Sequence, residues 1–196
     1  MRKRGMLILT ASFALALLSV LASPVFAAEL APAVIDNERV KVFDTTESIA
    51  PMPDDFVAIS FAQGTAIFGR AGETAGVPGV RTVVIDLKNH PVAPLVNNSG
   101  YPNAFPRPHV DKLFENDRVI VWHYRWFLND PTPMHFHDKD VVVAYRYDGD
   151  LKSVTPDGTS VINPYKTGDI RFNKANRAHY EELMTDRQSA VMMELK

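Results

Sequence analysis

The chain has 196 residues, 46% hydrophobic and 22% charged, with a formal charge of −2, which is globular usage with enough length for a sizeable core. No run of Lys or Arg follows residue 4 and there is no cysteine. Nucleic acid and anionic membrane surfaces are therefore excluded as partners, as are disulfides and thiolate chemistry, and a small-molecule ligand is the expected partner.

Residues 1–27 read as a cleavable secretory signal. Arg2-Lys-Arg4 is the basic end, Met6 to Ala22 the apolar run, and Val25-Phe-Ala27 the cleavage segment, with the cut after Ala27. The apolar run is short for a bilayer span, so no stable membrane span is expected after cleavage, and the mature chain is expected to be periplasmic or secreted.

From residue 28 to 110 the pattern is β throughout. Asn37-Glu-Arg39-Val40-Lys-Val42-Phe alternates apolar and polar side chains, Phe56-Val-Ala-Ile59-Ser-Phe61 and two short runs punctuated by Gly64 and Gly69 follow, and Arg81 to Lys88 is a strong strand. Residues 89–109 hold Pro91, Pro94, Pro102, Pro106 and Pro108 together with Asn97-Asn-Ser-Gly100. A connection this long inside a compact domain is either a boundary or a segment wrapped over the surface and covering a pocket.

Residues 111–196 form a second β module. Glu115 to Trp126 alternates so that Trp122, Tyr124 and Trp126 share one face, while His123 and Arg125 share the other. The aromatic set reads as packing. If it lies outside a barrel, His123 and Arg125 line the interior, where Arg125 could hold a carboxylate bidentately; if it points inward, His123 is at the surface. Pro131 to Ala144 then places His135 and His137 two residues apart on one β face. His179 stands downstream, behind the turn signal Asn163 to Asp169 and the short segment Ile170-Arg-Phe172, with Arg177 on its face. Asp138 and Lys139 read as solvated turn residues. Turns at Asp148-Gly149-Asp150 and Thr155-Pro-Asp157-Gly158 and a last strand, Ser189 to Lys196, complete an all-β sandwich or barrel.

The two modules echo one another. Asn37-x-Arg39-Val40-x-Val42 answers Asn116-x-Arg118-Val119-x-Val121, Pro51-Met52 answers Pro133-Met134, and Val84-Ile-Asp-Leu-Lys88 resembles Met192-Met-Glu-Leu-Lys196. A duplicated β unit is expected, its first copy carrying Pro53-Asp54-Asp55 where the second carries His-Phe-His.

At His135, His137 and Gly149, and more loosely at Pro164, Gly168 and His179, the sequence resembles the cupin superfamily. Its first motif has two histidines separated by one residue, then a glutamate and a glycine; its second has a proline, a glycine and a later histidine. The resemblance implies a jelly-roll barrel over residues 111–196, a degenerate, metal-free cupin-like module before it, and a metal held by His135, His137 and His179. The motif's glutamate falls on Val142, or on Val141 at the shorter spacing, and neither can bind metal. Asp140 and Glu181 are the candidates to replace it as fourth ligand or catalytic proton acceptor, with Asp140 assigned to the metal set. His123, Arg125 and Arg177 are candidate substrate contacts.

Imidazole and carboxylate donors suit a divalent transition metal such as Fe, Mn, Zn or Ni without choosing among them. Three function classes follow. The first is a metal-dependent oxygenase or isomerase acting on a small polar organic acid or sugar, and the second a periplasmic module that binds a small ligand or metal without turnover. The third is a structural cupin that assembles with itself, as a homodimer, or with another envelope protein. No phosphate-cradling glycine loop, serine elbow or cysteine nucleophile offers a competing chemistry.

Overall fold

The computed structural model describes residues 32–196 apart from 91 and 94; the signal segment and its cleavage position lie outside them. The described chain is all β. Its first sheet contains β1 (Ile35–Asp36), β2 (Val40–Thr45), β3 (Phe56–Ser60), β4 (Thr65–Gly69) and β5 (Thr82–Leu87), in the order β1-β2-β5-β3-β4. The remaining strands are β6 (Val110–Glu115), β7 (Val119–Trp126), β8 (Thr132–His137), β9 (Val141–Tyr145), β10 (Gly149–Val154), β11 (Ser160–Tyr165), β12 (Ile170–Asn173), β13 (Arg177–Leu183) and β14 (Gln188–Leu195). They divide into a five-stranded sheet, β12-β9-β14-β7-β6, and a four-stranded sheet, β11-β10-β13-β8, all pairings antiparallel.

These two sheets enclose a jelly-roll barrel. Trp122, Tyr124 and Trp126 from β7, Val141, Val143 and Tyr145 from β9, and Met192 from β14 meet Leu151 and Leu183 of the opposite sheet. The aromatic face of β7 thus points into the barrel. The other face of the same sheet is equally apolar: Val119, Val121, Val142, Ala144, Val191 and Met193 pack against Val40, Val42, Val57, Ile59, Val83 and Ile85 of the first sheet. Strands covered on both faces need continuous apolar runs rather than alternation, which is why β5, β9 and β14 are buried along their whole length.

The first sheet repeats the strand order of the barrel's five-stranded sheet, with β1, β2, β5, β3 and β4 in the places of β6, β7, β14, β9 and β12. The entry turns agree atom for atom. Asn37 Oδ1 accepts from the amides of Arg39 and Val40, and Asn116 Oδ1 from those of Arg118 and Val119, the side chain standing in for a backbone turn. The two arginines then cross between sheets: Arg39 donates to the carbonyl of Lys196 at 3.0 Å, and Arg118 to that of Leu87 at 2.8 Å. Among the described residues, however, the first half has one sheet where a cupin has two. The places of β8, of β10 with β11, and of β13 are taken by the loops 46–55, 61–64 and 70–81, so the strands that carry histidines have no counterpart there.

Residues 102–109 form a strap rather than a spacer. Ala104 N donates to Phe136 O at 2.7 Å and Phe136 N to Pro102 O at 2.8 Å, so the strap pairs with the outer edge of β8. Phe105 stacks on Trp122, ring centroids 5.1 Å apart and planes within 8°. The strap covers the barrel.

Candidate metal centre

Within Pro131 to Ala144 the chain turns at Asp138 to Asp140 and changes sheets, so the histidine stretch is two strands: β8 at the edge of the four-stranded sheet and β9 in the other. On β8, His135 and His137 project to one side. Across the ladder, His179 lies directly opposite His135, and Arg177 directly opposite His137. Cross-strand neighbours on one face approach closely, and the three imidazoles and the guanidinium meet inside the barrel. A bulge between His179 and Glu181 shifts the register, and the Glu181 carboxylate joins the group, Oε1 lying 3.8 Å from His179 Nε2.

His135 Nε2 is 3.2 Å from His137 Nε2, and His137 Nε2 is 3.2 Å from His179 Nε2. Two nitrogens 3.2 Å apart, each about 2.1 Å from a shared ion, subtend about 100°, between the octahedral and tetrahedral angles. The far sides of two rings are engaged elsewhere. His135 Nδ1 donates to the carbonyl of Pro133 at 2.8 Å, and His179 Nδ1 lies 3.2 Å from Ser153 Oγ. An imidazole whose Nδ1 carries the proton presents a lone pair on Nε2; the Pro133 carbonyl, which can only accept, sets that tautomer for His135, while Ser153, able to donate or accept, holds the His179 ring in place.

Burial also keeps the rings neutral. It lowers His135 to about 3, with the Arg107 charge adding to the effect, and lowers His137 well below the usual imidazole value, with Arg177 adding; His179 is lowered less because Glu181 opposes the burial. Burial pushes the Glu181 carboxyl up, but the His179 ring, once protonated in acid, and the permanently charged Arg107 outweigh it and hold it down to about 2. Three converging imidazole nitrogens beside an ionised carboxylate form a donor set that fits a divalent cation, and His137 Nδ1 is buried without a partner of its own.

Several expected site residues lie elsewhere. Asp140 is not in the metal set: Oδ2 takes an ion pair from Arg39 at 3.1 Å and Oδ1 accepts from the amide of Ala175 at 2.8 Å. Asp140 was a candidate because it shares strand parity with Val142, the slot of the motif's glutamate, but Val142 faces the first sheet. The interior position belongs to Val141. His123 and Arg125 sit on the outward face of β7, where His123 Nε2 is 3.2 Å from Arg146 and Arg125 pairs with exposed Asp111 at 2.8 Å; neither reaches the cavity. Asp138 and Lys139 do form the turn, paired with each other at 2.7 Å.

Arg107 escaped the sequence reading. The strap lays its guanidinium over the Tyr124 ring, 4.0 Å from the centroid, and carries Nη1 to 2.8 Å from His135 Nε2 and Nη2 to 3.7 Å from Glu181 Oε2. A basic residue between two prolines, in a segment expected to cover a pocket, was the available signal. Tyr145 and Tyr165, stacked 3.7 Å apart, also line the cavity of about 170 Å3 that adjoins His137, His179, Arg107, Arg177 and Glu181.

No protein-family model matches the chain, and no curated protein does. Solved structures do. A cupin 2 conserved barrel domain protein from Leptotrichia buccalis is similar over 86% of this chain and 90% of its own, with a TM-score of 0.52 at 14% identity. A cupin domain from Bordetella pertussis Tohama I is 27% identical over 49% of this chain and 96% of its own, with a TM-score of 0.42. An RmlC-like cupin from Methanocaldococcus jannaschii aligns over 54% of this chain at 15% identity and a TM-score of 0.38. Taken with the Leptotrichia match, the two facing sheets and their inward histidines make this an all-β protein of the cupin fold.

Proposed function

We propose that the barrel is a divalent metal centre of a periplasmic or secreted protein that acts on a small polar organic acid or sugar. His135, His137 and His179 are its ligands, and Glu181 is the fourth ligand or the proton acceptor. The observation that carries the reading is the convergence of three neutral Nε2 atoms in a buried site, with the Nδ1 atoms of His135 and His179 already engaged. A shared cation satisfies all three nitrogens at once, whereas an N–H···N bond between rings at 3.2 Å pairs only two of them.

A bound Fe, Mn, Zn or Ni ion would polarise a ligand oxygen or, if redox-active, support oxygenase chemistry. The chain supplies the rest. Glu181, ionised and held by Trp126 Nε1 at 3.1 Å, is placed to take a proton from a ligand in the cavity. The strap, through Phe105 and Ala104, keeps bulk water from the edge of β8, and the wall formed by Tyr145, Tyr165 and Leu151 limits the ligand to a small molecule.

The alternative is a binding module with the same ligand set and no turnover. The test is an oxygen-uptake and isomerisation screen of small acids and sugars with protein reconstituted separately with iron, manganese, zinc and nickel. Substrate-dependent turnover abolished by Glu181→Gln supports the enzyme; bound metal with no turnover on any compound supports the binder.

A further inference from the structure

The charges in the cavity do not cancel. Two guanidinium groups, those of Arg107 and Arg177, line it with one carboxylate, that of Glu181. Glu181 lies 3.7 Å from Arg107, and among the described residues no carboxylate forms an ion pair with Arg177. Arg177 Nε is buried without an acceptor, and so are Arg107 Nε and Nη2. Removing a charge from water without a partner costs several kcal/mol, and a buried donor without an acceptor adds to that cost. A divalent ion among the histidines would deepen the positive excess.

The position of Arg177 gives the missing acceptor a place. It is directly opposite His137 in the β8–β13 ladder, so whatever it holds lies beside the imidazole nitrogens. The cavity is also lined by Asn163, Asn173 and the stacked Tyr145 and Tyr165, polar groups suited to fix a planar anion. Its volume of about 170 Å3 equals that of about six waters at ~30 Å3 each. A planar fork of donors matches a carboxylate bidentately, whereas a neutral sugar offers it no charge.

We propose that Arg177, assisted by Arg107, is the receptor for the carboxylate of a small organic acid of pyruvate or malonate size, which makes an acid rather than a sugar the ligand of this barrel. The inference deepens the function proposed above by naming the substrate class of that site, but the guanidinium contacts do not require the ion.

The experiment is isothermal titration of the full chain, stripped with chelator and dialysed, against pyruvate, malonate and glucose. Pyruvate or malonate is expected to bind and glucose not. Arg177→Gln is expected to weaken acid binding at least tenfold, with Arg177→Lys retaining part of it. Should Arg177→Gln fail to fold by circular dichroism, Arg177→Lys decides, a folded variant at least threefold weaker being the supporting result. Failure of both acids to bind, binding of glucose in their place, or parental affinity in the deciding variant overturns the proposal. Metal content of the same preparation after reloading separates the two readings. Acid binding without metal refutes the metal centre alone, and metal without acid binding refutes the acid receptor alone.

Discussion

Arg107 Nη1 lies 2.8 Å from His135 Nε2, the same nitrogen that faces His137 at 3.2 Å. Guanidinium can only donate, so it occupies the lone pair that a metal would use. The strap therefore places a fixed positive charge in competition with a cation at the centre of the barrel.

Replacing Arg107 with Leu removes that competitor, together with the guanidinium that covers Tyr124. Metal affinity in equilibrium dialysis is expected to rise about tenfold, equivalent to about 1.4 kcal/mol. An affinity equal to or weaker than the parent's would show that Arg107 does not oppose the cation.

The buried imidazoles link stability to pH. In the unfolded chain His135 titrates near 6.5, and in the fold it stays neutral down to about 3. Between those values the unfolded chain binds more protons, so the stabilisation is complete above pH 6.5 and is lost progressively as pH falls toward 3. For the metal-free protein, urea unfolding from pH 7 to 5 should show falling stability. His135→Asn should flatten that slope by up to about 1.4 kcal/mol per pH unit, one proton's worth; an unchanged slope would contradict the burial of a neutral ring.

Glu181→Gln keeps shape but leaves Arg107 without its carboxylate and the metal without its nearest oxygen donor. Metal affinity is expected to fall about 10- to 100-fold, the usual scale for a group that supports a metal site, measured by competition with a chromogenic chelator. Full parental affinity would remove Glu181 from the centre.

Arg39 ties the two halves together, bonding Asp140 at 3.1 Å and the Lys196 carbonyl at 3.0 Å with its side chain 6% exposed. Arg39→Met should cost about 3 kcal/mol in urea unfolding, because Asp140 is left largely buried with one oxygen unpaired. Metal content should not change, since Asp140 is no ligand. Loss of metal together with stability would mean that Asp140 acts at the centre after all.

The β character of nearly every segment was legible because alternation and turn residues act locally. Trp122, Tyr124 and Trp126 were correctly grouped on one face, but which face pointed inward could not be read: the five-stranded sheet is apolar on both sides, one toward the barrel and one toward the first sheet, so His123 and Arg125 offered no signal of their own. The Asn37 and Asn116 turns were visible as a repeated pattern, while the absence of a second sheet in the first half depends on where loops such as 70–81 run. Parity put His135 with His137 and Arg177 with His179, since i and i+2 spacing needs nothing beyond a strand; bringing the two pairs together took the β8–β13 register. It misplaced Asp140 by matching it to Val142, although the inward positions of β9, Val141, Val143 and Tyr145, keep the odd parity of His135 and His137, and it could not find Arg107, which reaches the site through a strap whose path is set by packing of Phe105 on Trp122.

The metal centre stands or falls on whether His135, His137 and His179 share one cation. The most direct measurement is the metal content, by atomic emission, of untagged protein reconstituted with a single divalent metal, in the parent and in His135→Ala, His137→Ala and His179→Ala. His90→Ala and His109→Ala serve as controls, the latter ring being engaged by Asp130 at 2.7 Å. One equivalent in the parent and the controls, lost in each of the three variants, is the predicted result. Parental metal in His179→Ala, or none in the parent, would contradict it.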